Sequence, residues 1–362
     1  MLLNPAPQSH EWIVRRKSTH QPMNHRFKLG VALCALAPLT ALADIKVNDN
    51  LTISGYAAAS YEYISSDPGT DHDSLFDGSK DTPSADALKT IFTMNFKPVT
   101  GVVSLFYIPN IPAGAMKNEL TVLDAYVSYD AGAGTTITAG KFLSYLGYEA
   151  FDPVNMNQIT YGAVTVGTLG AIPAYHSGVK IDGGDKDMGW GLAVLDSVYS
   201  PNGIDKGDGE LRHNAGFEGY LKFTSVTNLT LWAGFAYDTK GNFQPHGVTT
   251  FDVWAEYKLN KATTIAGELS SKDGGPAAKG WTWLAYLNYA FTDKASAVFR
   301  ISGEQLKDST KTATGNSDFT QYTFGPAFKV SDNLTVRAEY SYYDYQGGAS
   351  KSLGGLQGVF KF

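Results

Sequence analysis

The chain has 362 residues, of which 18% are charged and 13% are aromatic, and it contains 38 glycines. Globular domains carry about 25% charged residues, so this composition argues against an ordinary soluble domain. The formal net charge of −6 argues against a nucleic-acid partner.

The N-terminal segment predicts export from the cytoplasm. After Met23 come a basic start, a short apolar run and the sequence Ala-Leu-Ala at 41–43. This order is typical of a Sec-type signal peptide with its cleavage site. The residues before Met23 have neither a leader pattern nor a periodic one. We therefore expect residues 1–43 to be an N-terminal extension and cleaved signal peptide, with Met23 as the true start, and residues 44–362 to be the mature chain.

Cleavage changes both the charge and the cysteine content. It would leave 24 basic and 34 acidic residues, a net charge of −10. It would also remove Cys34, the only cysteine, so the mature chain could form neither a disulfide nor a thiolate metal site. We predict no cofactor and no metal.

The mature chain repeats one unit, a segment in which apolar and polar residues alternate with the period of a β-strand. About sixteen such segments occur, and most approach the roughly 9–11 residues that a tilted strand needs to cross a bilayer. The first are LTISGYAAASYEY (51–63), ALKTIFTMNF (87–96), VVSLFYI (102–108), TVLDAYVSY (121–129) and TITAGKF (136–142). Later examples include LTLWAGFAY, FDVWAEYK, WTWLAYLNYAF, LTVRAEYSYY and the final LQGVFKF.

The connections alternate in length. Tight ones such as KPVTG and DAGAG exchange with long ones such as 64–85, 199–214 and 307–318, which are rich in Gly, Ser, Asp and Lys. Short turns at one end and long loops at the other are typical of outer-membrane barrels. The acidic residues of 64–85 are expected to form a solvated loop, because their order does not fit an EF-hand.

The two faces of each strand differ in polarity. In LTVRAEYSYY, Val336 and Tyr340 belong to an apolar face, and Arg337 and Glu339 to a charged one. A soluble sandwich could carry the same alternation. The number and length of the strands, and the aromatic residues near their ends, favour a barrel. We predict an all-β fold, a transmembrane antiparallel β-barrel of about 16 strands with short periplasmic turns and longer outer loops.

The C-terminus supports a closed barrel. The final GGLQGVFKF places Phe360 and Phe362 on one face of a strand, with no polar tail after them. This ending resembles the signal by which outer-membrane barrels are recognised by the barrel assembly machinery. The same strand would close the ring onto the first strand and so remove the exposed edges.

Two segments resemble the OmpL-like β-barrel porins, GYEAFDPVNMNQITYG (147–162) and IPAYHSGVKI (172–181). In the second segment the matching positions are Pro173, His176, Gly178 and Val179, with Ser177 where the family has Thr. The segment DAYVSYDAGAGTTITAGKF (124–142) also resembles the hairpin before the constriction loop of sixteen-stranded general porins. The resemblance implies passive diffusion of small hydrophilic solutes and ions through a homotrimer in the bacterial outer membrane, in contact with lipid and lipopolysaccharide.

The longest irregular stretch, residues 143–174, follows the fifth strand and is the third long connection. A barrel of this width has a water-filled lumen that such a loop can narrow. The side chains expected to line the narrow zone are Tyr145, Glu149, Asp152, Asn155, Asn157 and Gln158, facing the basic lumen residues Lys180, Arg300 and Arg337. The alternative is a loop that caps the barrel from outside.

Selectivity follows from these charges. The wall is nearly balanced, so Glu149 and Asp152 would produce a weak preference for cations. A substrate-selective channel of the same fold remains an alternative, as does a barrel-borne hydrolase or adhesin. Against a hydrolase, His176 and Ser177 are neighbours on a strand and point to opposite faces. Against an adhesin, the outer loops are modest in length.

Overall fold

A computed structural model describes residues 44–66, 83–108, 120–199, 215–240 and 246–362. The expected extension and signal peptide lie outside the described residues, as do the acidic residues 67–82 of the first long connection.

β-strands make up most of the described chain. The strands are β1 (Ile45–Lys46), β2 (Leu51–Ser66), β3 (Ser84–Phe96), β4 (Val99–Tyr107), β5 (Leu120–Gly132), β6 (Thr135–Leu143), β7 (Tyr175–Gly184), β8 (Met188–Leu195), β9 (Gly216–Phe223), β10 (Leu229–Asp238), β11 (Val248–Lys258), β12 (Thr263–Asp273), β13 (Lys279–Ala290), β14 (Ala295–Leu306), β15 (Phe319–Lys329), β16 (Leu334–Tyr345) and β17 (Ser350–Lys361). The helical elements are a 3₁₀ turn, Pro153–Asn155, and the helices α1 (Ala163–Val166) and α2 (Asp308–Thr314). Within the described residues, no helix is long and apolar enough to cross a membrane.

Strands β2 to β17 form a closed antiparallel barrel of sixteen strands, which confirms the predicted fold. The ring closes where β17 pairs with β2, from Lys351 opposite Ser66 to Lys361 opposite Tyr56. The last residue, Phe362, extends this pairing by exchanging two backbone hydrogen bonds with Gly55, at 2.7 and 2.9 Å. Strand β1 then pairs with the free edge of β2 beyond the end of β17. Closure leaves the main barrel strands paired on both sides.

The wall alternates as the sequence predicted. On β16, Arg337 and Glu339 are 3% and 4% exposed, whereas Tyr340, on the other face of the same strand, is 54% exposed. The same holds on β11, where Asp252 is buried and Val253 is 47% exposed. The polar set therefore faces the interior of the barrel, called the lumen below, and the apolar set faces outward, as a barrel in lipid requires.

The connections divide the barrel into two ends. Seven short turns, beginning with Lys97–Pro98, lie at the periplasmic end, and the long connections lie at the outer end. The third long connection, residues 144–174 between β6 and β7, is called L3 below. Residues 307–318, expected to be irregular, contain α2, which ends at Gly315 with a φ of 72°, a left-handed conformation that glycine adopts without strain.

Candidate functional site

L3 packs against lumen-facing side chains of the barrel wall. Of its residues, only Asn155, Asn157 and Val166 are exposed, and almost all the others are buried. Its polar groups contact lumen-facing side chains on opposite sides of the ring, as described below. Gly167 marks how closely L3 approaches the wall, because a Cβ atom there would lie 2.3 Å from Oε2 of Glu304.

The first turn of L3 is fixed by carboxylates on three strands. Glu218 on β9 accepts hydrogen bonds from Ser144 Oγ at 2.5 Å and from the Tyr145 N–H at 3.1 Å. Next along L3, the N–H of Gly147 donates to Asp252 on β11, and the N–H of Tyr148 donates to Glu268 on β12, each at 2.9 Å. The carboxylates of Asp252 and Glu268 thus bind the main chain of L3, and the φ of 101° at Gly147 is a left-handed conformation that favours glycine.

A buried ion pair holds the centre of L3. Arg300 on β14 is 1% exposed and donates from Nη1 to Glu149 at 2.5 Å and to the Thr160 carbonyl at 2.7 Å. Glu149 is 4% exposed and also accepts from Gln158 Nε2 at 2.7 Å and from the Gly162 N–H at 2.6 Å. Its lone pairs are thus occupied by donors, as a buried carboxylate requires.

Asp152 forms a second buried pair, with a residue on β3, five strands around the ring from Arg300 on β14. Its carboxylate accepts from Tyr56 on β2 at 2.9 Å and lies 3.1 Å from Lys89 Nζ on β3. Lys89 also lies 3.2 Å from Asp124 and donates to the Tyr175 hydroxyl at 3.0 Å. This lysine therefore has two carboxylate partners.

Arg337 on β16 also binds the main chain of L3. It donates to the carbonyls of Met156 and Pro153, at 2.6 and 3.0 Å. Its neighbour Glu339 accepts from the Thr160 N–H at 3.0 Å and from the Thr160 hydroxyl. The two charged side chains thus hold successive parts of one segment of L3.

The last part of L3 is bound in the same manner. Glu304 on β14 accepts from the N–H groups of Thr168 and Leu169 at 2.9 and 2.8 Å. Lys272 on β12 donates to the carbonyls of Leu169 and Gly170, each at 2.9 Å. Both termini and the centre of L3 are therefore attached to the wall.

Aromatic side chains pack beneath the start of L3. Tyr220 and Trp232 stack with centroids 4.1 Å apart and planes 4° apart, and Trp232 stacks on Trp254 at 5.5 Å. Tyr148 of L3 packs between Trp254 and Tyr286, at 5.4 and 5.7 Å. Burial, with the nearby charge of Glu256, raises the pKa of Tyr148 well above its usual value, so this phenol stays a hydrogen-bond donor to Glu256.

The lumen-facing tryptophans were not among the residues singled out from the sequence. The available signal was their parity, because Trp254 lies two residues after Asp252 and two before Glu256, on the charged face of its strand. Because the interior of such a barrel is polar, a large aromatic residue on the lumen face of a strand favours a packing partner there. Here that partner is L3.

The side chains expected to line a narrow zone occupy two environments. Tyr145, Glu149, Asp152 and Gln158 are buried, with relative exposures of 2–5%, whereas Asn155 and Asn157 are exposed. These two asparagines are therefore the fully exposed polar side chains of L3 in the described structure, whereas Thr168 is half-buried. The Asn157 amide also donates to the Tyr286 hydroxyl at 2.7 Å.

The basic lumen residues also differ from one another. Arg300 and Arg337 are engaged by L3, whereas Lys180 lies with its ammonium 4.7 Å from the ring centre of Phe142 and 5.0 Å from that of Tyr145. These distances fit cation–π contacts. Lys180 forms no ion pair with any residue that the structure describes.

The geometry around His176 does not favour nucleophilic catalysis. His176 is 2% exposed on the lumen side of β7, and the next residue, Ser177, lies on the opposite face. His176 Nε2 lies 3.5 Å from Glu218, which is already bound to the first turn of L3.

Comparisons with known proteins agree with this architecture. A family model described as "Putative beta-barrel porin-2, OmpL-like" matches residues 50–359. No protein with a curated description matches the chain.

Solved structures of outer-membrane proteins share the fold at low sequence identity. The outer membrane channel DcaP of Acinetobacter baumannii is 12% identical, with a TM-score of 0.60 over 89% of this chain and 100% of that one. OprB of Pseudomonas putida is 9% identical, with a TM-score of 0.59 over 86% and 94%. An anion-selective porin from Comamonas acidovorans is 11% identical, with a TM-score of 0.59 over 86% and 99%. The barrel and the match over residues 50–359 lead to one conclusion: the chain belongs to the OmpL-like family of β-barrel porins.

Proposed function

We propose that the chain forms a water-filled channel through which small hydrophilic solutes and ions diffuse passively across the outer membrane, and that L3 narrows it. The observation that carries this proposal is the path of L3, whose polar groups bond to lumen-facing residues on β2, β9, β14 and β16. A segment bound around the ring reduces the open cross-section where it lies.

The residual passage is lined in part by amide side chains. Because Asn155 and Asn157 are exposed while the segments beside them are buried, solutes would cross L3 next to these two residues. Amides donate and accept hydrogen bonds without carrying charge. This arrangement supports a channel for small polar molecules, and a narrow one.

The partners follow from the same assignment. Export through the predicted signal peptide, contact with outer-membrane lipid and lipopolysaccharide, and assembly as a homotrimer are proposals that rest on membership of a porin family. A role for Phe360 and Phe362 in recognition by the barrel assembly machinery is supported by their place in the closing strand. Phe360 is 47% exposed on the outer face, and Phe362 is bonded to Gly55.

The test is conductance of the refolded mature chain, residues 44–362, in planar bilayers. We expect stepwise channels of small unit conductance. The variant Arg337→Gln removes the bonds to the Met156 and Pro153 carbonyls and should increase the unit conductance or its fluctuation, because the exposed part of L3 is loosened.

The matched control is Lys261→Gln, which removes a positive charge from an exposed periplasmic turn and should leave the unit conductance unchanged. Folded protein without any conductance would contradict the channel assignment. Parental conductance in Arg337→Gln would contradict the proposed role of L3.

A further inference from the structure

The periplasmic ends of the strands carry a residue pattern on their lumen side. Every strand that runs from the periplasmic end begins there with a small residue, and all but one of these residues carry a hydroxyl. They are Thr52, Thr100, Thr136, Gly189, Thr230, Thr264, Ser296 and Thr335, and all are partly exposed. The periplasmic mouth is therefore lined by hydroxyl donors.

The strands that run toward the periplasm end differently. Four of them have a lysine as their last lumen-facing residue, and these four lysines, Lys222, Lys258, Lys329 and Lys361, are called the basic ring below. At the other four ends the residues are Asn95, Asp130, Gly184 and Ala290. Positive charge thus exceeds negative charge at these positions.

The strand register places the basic ring on the lumen side. Lys361 pairs with Tyr56, which bonds to Asp152 of L3, and Lys222 pairs with Trp232 beneath L3. Lys258 and Lys329 lie an even number of residues from the lumen-facing Glu256 and Thr323, so they share that face.

The basic ring is largely free of carboxylate partners. Lys329 lies 2.7 Å from Asp332. The other three form no ion pair within 4.0 Å with any residue of the described ranges. Glu256 acts electrostatically on Lys222 at longer range and accepts a hydrogen bond from Tyr148.

The charged groups at the level of L3, unlike those of the basic ring, are ion-paired or hydrogen-bonded to L3. Glu149 and Asp152 each have a basic partner at 2.5–3.1 Å, and the wall carboxylates Glu218, Glu304 and Glu339 accept loop N–H groups. Donors that surround a carboxylate offset its field in the lumen. Glu149 and Asp152 therefore attract cations less strongly than their formal charges alone would predict.

The spacing lets the lysines act together when salt is low. Lys222 and Lys258 lie two strands apart with a register offset of four residues, roughly 16 Å. Lys329 and Lys361 lie two strands apart with an offset of two residues, roughly 12 Å. The second separation is close to the Debye length of about 10 Å at 0.1 M salt, and both lie within the roughly 30 Å at 0.01 M. Carboxylates of the periplasmic turns, such as Asp185 and Asp293, lie outside the strands and are exposed to solvent.

Resting on the proposed channel function, we propose that the basic ring and the hydroxyls between its lysines draw small anions into the periplasmic mouth, so that the channel favours anions over cations. Ammonium and hydroxyl groups both donate hydrogen bonds to anions. A charged mouth with low-dielectric walls raises the local concentration of the opposite ion.

The experiment is the reversal potential of the refolded mature chain in a tenfold KCl gradient, at low and at high mean salt. The wild type should pass chloride in preference to potassium, more strongly at low salt because screening is weaker there. The double variant Lys222→Gln/Lys258→Gln should lower the chloride-to-potassium permeability ratio by about twofold or more. Lys222→Glu/Lys258→Glu should reverse the preference.

The control variant is Lys261→Gln/Lys294→Gln, which removes the same charge from exposed periplasmic turns outside the basic ring. It should keep at least most of the parental permeability ratio. A conducting but cation-selective wild type would overturn this inference alone, as would equal shifts in the double variant and its control. Absence of conductance from folded protein would overturn the proposed function, and this inference with it.

Discussion

The outer and periplasmic halves of the lumen use charged residues in different ways. In the outer half, Arg300, Glu304 and Glu339 are 1–4% exposed and bound to L3. In the periplasmic half, Lys222 and Lys258 are partly exposed and have no carboxylate at ion-pair distance among the described residues. A charge on the lumen face of a barrel can therefore serve either to hold a loop or to act on passing ions, and its neighbours decide which.

The largest loss of stability should come from breaking the buried ion pair between Arg300 and Glu149. Arg300→Met leaves Glu149 buried without its cationic partner, and we expect the free energy of unfolding to fall by roughly 3–5 kcal/mol. Denaturant unfolding followed by tryptophan fluorescence measures it. Lys258→Met in the periplasmic half should cost less than about 1 kcal/mol, since its side chain is partly exposed and forms no ion pair. Equal costs would remove the distinction between the two halves.

The next largest loss of stability is expected from a charged side chain on the outer face of the barrel wall. Leu269 lies near the middle of β12 on the outer face and is 44% exposed, so Leu269→Arg should cost roughly 2–4 kcal/mol in a bilayer. Thr264→Arg, on the lumen face of the same strand, should be tolerated. The measurement is folding into lipid vesicles over a denaturant series. Tolerance at both positions would mean that the two faces are misassigned.

A smaller effect is expected at the C-terminus. Deleting Phe362 removes its two backbone hydrogen bonds with Gly55, worth about 0.5–1.5 kcal/mol each. It also removes the aromatic end of the closing strand. We expect a several-fold lower yield of heat-modifiable barrel in outer membranes.

The control for the terminus is Phe291→Glu, which changes an aromatic residue that is 62% exposed in a periplasmic turn. Its barrel yield should stay near that of the parent. If both variants assemble equally well, the terminal phenylalanine has no special role.

The smallest effect compares the two carboxylates of L3. Asp152→Asn leaves Lys89 with Asp124 and Tyr175, so the free energy of unfolding should fall by only about 0.5–1.5 kcal/mol, the net contribution of one hydrogen bond. Glu149→Gln should cost more, because no second carboxylate lies at ion-pair distance from Arg300 in the described structure. Denaturant midpoints of the two variants measure the difference. A larger cost for Asp152→Asn would contradict the assigned partners.

The fold could be predicted because its signals are local. Alternation within each strand sets the two faces, and the order of short and long connections sets the two ends. The position of L3 as third long connection was also readable from the sequence. Strand β1 and helix α2 were not predicted, because a two-residue strand and a short helix in a loop carry little periodicity.

The state of individual charges could not be predicted from the sequence. Glu149 and Arg300 are 151 positions apart, and Asp152 and Lys89 are 63 apart. Nothing local indicates that these residues meet. The sequence therefore identified the residues near L3 but not which of them are neutralised, and the direction of ion selectivity depends on that distinction.

The attachment of L3 through its main chain determines which of its residues can be substituted without changing the path of L3. Wall carboxylates accept the N–H groups of Gly147, Tyr148, Thr168 and Leu169, and Arg337 binds two carbonyls. Peptide groups are present whatever the side chain, so substitutions at Asn155 and Asn157 would leave the path of the segment intact. Evolution, or a protein engineer, could exchange the exposed side chains to retune permeation while the scaffold that positions them stays the same.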